Sequence, residues 1–104
     1  MSQPTGPTIH YVLRLFITGP TTRSRRAISN LRKICDAELA GRYELEIIDI
    51  YETPEATRDL QVIATPTLVK LLPEPQRKVI GDLSDRDKVL IGLGLSPHRG
   101  GTKS

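Results

Sequence analysis

Few side chains in this sequence are suited to chemistry. Its single cysteine, Cys35, would need a lowered pKa to act as a nucleophile. It stands four residues after Leu31 on the apolar stripe of a helical segment, and so reads as a buried small hydrophobe. One cysteine also excludes an internal disulfide framework and a multi-cysteine zinc site. His10 and His98 have no cysteine or second histidine at metal-ligand spacing, which argues against a metal centre. Glu44, Glu46, Asp49, Glu52 and Glu55 lie close enough in sequence to suggest a general acid–base pair. Glu44 and Glu46, however, alternate with apolar residues as the solvent face of an edge strand does. Asp49 interrupts a more continuous apolar run, which suits a structural hydrogen-bonding role. No serine pairs with a histidine and an acid, and Gly92-Leu93-Gly94 is too short and too late for a phosphate loop. The inventory points away from an enzyme and implies no cofactor.

Such residues need a scaffold, and composition bounds what it can be. The chain has 104 residues, 38% hydrophobic and 26% charged, with three tyrosines, one phenylalanine and no tryptophan. That is one domain, burying roughly 65% of the surface its unfolded form exposes, over a core of mostly Ile, Leu and Val. Fifteen Lys+Arg against twelve Asp+Glu give +3, but the charges are segregated. Arg23, Arg25, Arg26, Arg32 and Lys33 form a stretch without acids, whereas Asp36 to Asp59 holds eight acids and only Arg42 and Arg58. Segregation of this kind steers a charged partner. With so few aromatics it does not favour nucleic acid. No apolar run reaches the roughly 18 residues a membrane span needs, and MSQPTGPT lacks the features of a secretory signal, so a cytoplasmic protein is expected.

Residues 1–8 read as a flexible lead-in, 9–95 as one domain and 96–104 as a flexible tail. Ile9 to Ile17 is a strand, with Ile9, Tyr11, Leu13, Leu15 and Ile17 on one face and Val12 and Phe16 on the other, as suits a central strand. A helix follows from Thr21 or Thr22 to about Ala40, with Gly41 as its cap and an apolar stripe of Ala27, Ile28, Leu31, Ile34, Cys35 and Leu39. Leu45 to Tyr51 is a second strand, and Thr53-Pro54 opens a short helix to about Val62. Thr67 to Leu72 and Arg77 to Ile80 form a hairpin. Ser84-x-x-Asp87 resembles a capping box opening a last helix to about Leu93, ended by Gly94.

The order βαβαββα is that of a thioredoxin-like α/β domain. In such folds a proline just ahead of strand three, here Pro66 in Ala64-Thr65-Pro66-Thr67, is a candidate cis position. A redox member needs its nucleophilic cysteine after strand one, at the start of the first helix. Thr18-Gly19-Pro20-Thr21-Thr22 occupies that place, which excludes dithiol exchange.

The segments Tyr11 to Gly19, Ala64 to Leu68 and above all Ile80 to Leu93 (IGDLSDRDKVLIGL) resemble the KaiB family, from about His10 to Leu93 or roughly four fifths of the chain. The resemblance implies a non-enzymatic binding protein that docks on the N-terminal ATPase ring of hexameric KaiC. There it modulates KaiC phosphorylation and output, with KaiA or a histidine kinase as further partners. It also implies a metamorphic chain: a βαββααβ resting state, tetrameric or dimeric, in equilibrium with a thioredoxin-like monomer. The switching region would run from Pro66 to about Leu95, through Gly81, Asp82, Gly92 and Gly94. The family leads us to expect the tetrameric arrangement, although the local pattern spells thioredoxin.

Partner-facing positions carried over from the family are Arg26, Lys70, Arg77 and Lys78, each of which also reads as an ordinary solvated charge. Two features depart from the family: Gln61 stands where a KaiC-facing lysine is usual, and the tail is basic rather than acidic. Besides the KaiC partner, the residues leave open a thioredoxin-like sensor or stress module acting on a kinase, and a thioredoxin-superfamily enzyme using Thr18 to Thr22 or Cys35.

Overall fold

The alternation in the first strand sets the layout. The computed structural model describes residues 10–55 and 66–95. In β1 (Tyr11–Ile17), Tyr11, Leu13, Leu15 and Ile17 are buried on one face and Phe16 on the other. Ile9, expected to start this strand, lies outside the described residues. A strand apolar on both faces belongs inside a sheet, and β1 is central in a four-stranded sheet with β2 (Tyr43–Asp49), β3 (Thr67–Leu72) and β4 (Arg77–Ile80), ordered β2-β1-β3-β4. β1 runs parallel to β2 and antiparallel to β3, and β3 runs antiparallel to β4. The hairpin strands begin and end where the sequence placed them. The arrangement is the thioredoxin-like one and not the βαββααβ order expected of a resting tetramer.

Helix α1 (Thr22–Glu38) and helix α2 (Arg86–Gly92) pack on the face formed by Leu13, Leu15 and Leu68. α1 contributes Ala27, Leu31, Ile34 and Cys35, followed by Leu39 at its cap; α2 contributes Val89 and Leu90, followed by Leu93. On the opposite face Phe16 and Val69 gather Ile48, Ile50 and Leu71. The short helix expected over 54–62 falls on residues 56–65, outside the described residues; Pro54 and Glu55 form a turn. The 96–104 tail and the Thr65-Pro66 bond also involve residues outside the description. Pro66 itself is buried, and the cis prolyl bonds among the described residues are Leu72-Pro73 and Glu74-Pro75.

The termini of the elements follow from side chains competing for backbone amides. Thr21 Oγ1 accepts from the Ser24 amide at 3.0 Å and caps α1. Leu39 closes that helix, and Gly41, expected as its cap, sits two residues later in the turn to β2 at φ 72°. β2 starts and stops two residues earlier than expected. Asp49 Oδ1 accepts from the amides of Tyr51 (2.9 Å) and Gly19 (3.2 Å), bending the chain out of the strand and fastening the loop after β1.

The capping box also shifts by one position. Asp82 Oδ1 takes the Ser84 amide at 3.1 Å, leaving Asp85 to cap α2 through the Lys88 amide at 3.2 Å. At its far end, Gly94 donates to Ile91 O and Leu95 to Leu90 O, a Schellman closure with Gly94 at φ 81°.

Replacing Leu31, which is fully buried under the sheet, with Ala is expected to cost roughly 2–5 kcal/mol in urea denaturation. Asp49→Ala removes the acceptor of a part-buried amide (Gly19) and an exposed one (Tyr51) and is expected to cost about 1 kcal/mol in the same measurement.

Candidate protein-docking surface

Reactive chemistry is absent where the fold would place it. The loop after β1 carries threonines, a glycine and a proline. Its geometry serves structure: the Gly19 amide is held by Asp49, and the Tyr51 ring lies over Gly19, 3.8 Å from where a Cβ would stand. Cys35 is fully buried, and desolvation, helped by the nearby Asp36 carboxylate, pushes its thiol up to about 12. A thiol so raised is not a nucleophile at neutral pH. His10 is exposed and bonds Glu44 at 3.0 Å, while Arg14 pairs with Glu46 at 3.3 Å, so these carboxylates dress the solvent side of edge strand β2. Among the described residues no three metal-ligating side chains cluster, and no helix is long and apolar enough to cross a membrane.

The surface that stands out lies at the opposite edge of the sheet. Among the described residues β4 pairs with β3 alone, and α2 lies close beside it: Gly92 faces the Val79 side chain so closely that a Cβ there would overlap it. Between them runs a groove of about 340 Å³. Val79, Ile80, Ile91 and Gly92 line it, and of these Ile80 (58% exposed) and Ile91 (55% exposed) are large aliphatic side chains open to solvent. Arg77, Lys78 and Lys88 line it with positive charge and no acid. Exposed branched side chains among cations suit a partner with apolar anchors inside an acidic rim.

The sequence-derived positions divide on the structure. Arg77 and Lys78 meet in the groove. Arg26 is exposed on α1, near the Asp82 carboxylate, which its own bonds to Ser84 and the charges of Arg23 and Arg26 hold below the usual range. Lys70 is not on the surface: β3 turns it toward the helices, where it is 3% exposed, so in this fold it is not an ordinary solvated charge. Gln61 lies outside the described residues. Lys88, Ile80 and Ile91 were missed because the groove depends on where α2 crosses β4; the signal available was Gly92, whose missing side chain permits that crossing.

Gly81, Asp82, Gly92 and Gly94 all lie in the segment joining β4 to α2 or at the end of α2. Gly81 has φ 121° and Leu83, a buried core residue, has φ 63°, a left-handed backbone that a branched side chain adopts only under strain. The Asn30 side chain on α1 donates to Asp82 O at 2.9 Å and fixes this turn.

These features define a thioredoxin-like domain whose loop after β1 carries no cysteine, and solved structures agree on the fold. The N-terminal domain of Synechococcus elongatus SasA superposes with a TM-score of 0.69 at 22% identity, covering 90% of this chain and 92% of that domain. The germline thioredoxin Deadhead of Drosophila melanogaster gives 0.65 at 16% identity, covering 82% and 79%. Within that fold the chain belongs to the KaiB family, whose domain model matches residues 14–95. It is 46% identical over 101 residues to the circadian clock oscillator protein KaiB of Prochlorococcus marinus subsp. pastoris, covering 90% of this chain and 94% of that protein. The KaiB of Microcystis aeruginosa is 51% identical over 85 residues, covering 82% of each chain. The circadian clock protein KaiB3 of Synechocystis is 46% identical over 87 residues, covering 84% of this chain and 85% of that one.

The Cys35 thiol, neutral in the fold to about pH 12 against an ordinary value of 9.0, contributes stability that is complete below pH 9 and lost as pH rises from there. Tyr43, donating to Asp36 at 2.7 Å and likewise raised to about 12, loses its contribution above pH 10. Thermal melts should fall above pH 9, and Tyr43→Phe should flatten the upper part of that fall. The native thiol should not react with a disulfide reagent at pH 8 until denaturant is added.

Proposed function

We propose that this chain is a non-enzymatic, cytoplasmic regulator of a circadian clock that docks on the N-terminal ATPase ring of a hexameric KaiC-type partner and modulates its phosphorylation state and output. The observation that carries the reading is identity of 46–51% with KaiB clock proteins over at least four fifths of the chain. The local chemistry agrees with it: a sealed thiol, a cysteine-free loop after β1, and a surface built for contact.

Docking uses the groove between β4 and α2. Ile80 and Ile91 supply apolar anchors, Arg77, Lys78 and Lys88 supply charge, and Arg26 adds an exposed cation on α1. KaiA or a histidine kinase then engages the complex.

The docking-competent state is the thioredoxin-like monomer, drawn from a resting homotetramer or dimer of βαββααβ order by refolding of residues 66–95. Three observations support a near balance between two packings. Gly81 and Gly94 occupy left-handed backbone, Leu83 holds the same conformation under strain, and Gly92 ends a short helix in which glycine costs about 1 kcal/mol relative to alanine. If only a fraction of molecules is competent, apparent affinity falls by that fraction and binding is slow.

Size-exclusion chromatography with light scattering, after hours with a KaiC hexamer and ATP, tests this. The expected result is a bound peak that grows slowly as the chain's own oligomer peak declines. Arg77→Glu combined with Lys88→Glu should weaken binding at least tenfold, about 1.4 kcal/mol, while leaving the circular-dichroism spectrum unchanged. Binding indifferent to both substitutions would remove the groove from the account.

A further inference from the structure

Lys70 is a buried charge that no described residue pairs with. In β3 it shares the helix-facing side with Leu68 and is 3% exposed. Its ammonium lies 3.6 Å from where a Cβ of Gly94 would stand, beyond the end of α2. No hydrogen bond or ion pair joins it to any described residue.

The described elements packed around it bring no carboxylate. β1 sets Leu13 directly across from it, with Tyr11 further along the same face. β4 sets Arg77 across from it, a like charge in register. α1 adds the neutral Cys35 thiol to this core, and α2 adds Val89 and Leu90 followed by Leu93. Burial first, and Arg77 second, hold the Lys70 pKa below its ordinary value.

A buried ammonium is ordinarily paired, because its desolvation is a penalty that only a partner offsets. Like charges directly opposite on antiparallel strands add to the cost. We propose that Lys70 is a built-in bias against this fold: its buried charge, unpaired among the described residues, destabilises the thioredoxin-like state relative to an apolar side chain, and any arrangement that returns the ammonium to water regains that energy.

The consequence for regulation rests on the two-state reading above. Lys70 lies inside the segment proposed to refold, so its sealed charge opposes the docking-competent state and favours the alternative. The bias holds in full while the buried Lys70 is charged, and alkaline conditions relax it. The sign follows from linkage. With the folded pKa depressed below 10.5, the unfolded chain binds more protons through the window between the two values. The penalty is complete below the folded pKa and vanishes as pH rises through 10.5.

The test is urea denaturation of the full chain in dilute solution, where light scattering reports a monomer, for the wild type, Lys70→Met and Lys70→Leu between pH 6 and 10. Cys35 and Tyr43 are common to all three proteins, so their alkaline losses cancel in the difference. At least one apolar variant should raise the folding equilibrium constant tenfold or more at pH 7, and its advantage should shrink toward pH 10. Two variants of different shape keep a poor fit of one from deciding the matter. If neither is more stable than the wild type, or if the advantage is the same at pH 6 and pH 10, the bias does not exist. No KaiC partner enters this measurement, so failure of the docking reading leaves it standing.

Discussion

Burial of one row of side chains on the central strand governs the rest of the molecule. Tyr11, Leu13, Leu15 and Ile17 project from β1 toward α1 and α2, and all are 8% exposed or less. Strand periodicity makes that row all-or-none: slipping β1 by one residue would turn every member toward the wrong layer. With β1 fixed, β2 aligns parallel on one side, and β3 runs antiparallel on the other with Leu68 in the same core. The position of β3 then determines β4, and α2 can reach the sheet only where Val79 meets a residue without a side chain. The basic groove is therefore a remote consequence of a hydrophobic pattern set in the first strand.

The two edges of the sheet are protected differently. β2 presents Glu44 and Glu46, each engaged by a base from the adjoining chain, His10 and Arg14. Charges on an edge strand discourage unintended sheet-to-sheet pairing. β4 also carries charges, but its own Ile80 and the neighbouring Ile91 of α2 leave apolar surface exposed. An edge that only needed protection would not keep two large aliphatic side chains more than half exposed beside the groove. That contrast is why we assign contact to the β4 edge and a structural role to the β2 edge.

Much of this was legible in the sequence, because punctuation and periodicity agree with the tertiary packing. Prolines and glycines bound the hairpin strands closely enough that Thr67, Leu72, Arg77 and Ile80 could be read as their ends. The stripe from Ala27 to Leu39 gave α1 and the burial of Cys35, and the interruption at Asp49 pointed to its hydrogen-bonding role. Other features were decided by competition that a linear pattern does not carry. Asp82 and Asp85 both seek an amide near the start of α2, and only the geometry of the turn shows which takes Ser84 and which takes Lys88. Lys70 illustrates the deepest limit. A lysine in a short strand reads as solvated, yet its parity with Leu68 already placed it on the helix-facing side. What the sequence lacked was the position of the end of α2 over it. The tetrameric expectation came from family resemblance, and the order of strands in this structure follows the local pattern instead.

The central claim is that the β4–α2 edge is where the chain meets a KaiC-type ring. Amide hydrogen exchange of the chain, alone and in the KaiC complex with ATP, tests it most directly. Our account predicts new protection concentrated in Arg77–Ile80 and Arg86–Gly92, with Tyr43–Asp49 little changed on docking. Protection confined to the Thr18–Thr22 loop, or to Tyr43–Asp49 with none along β4 and α2, would contradict it.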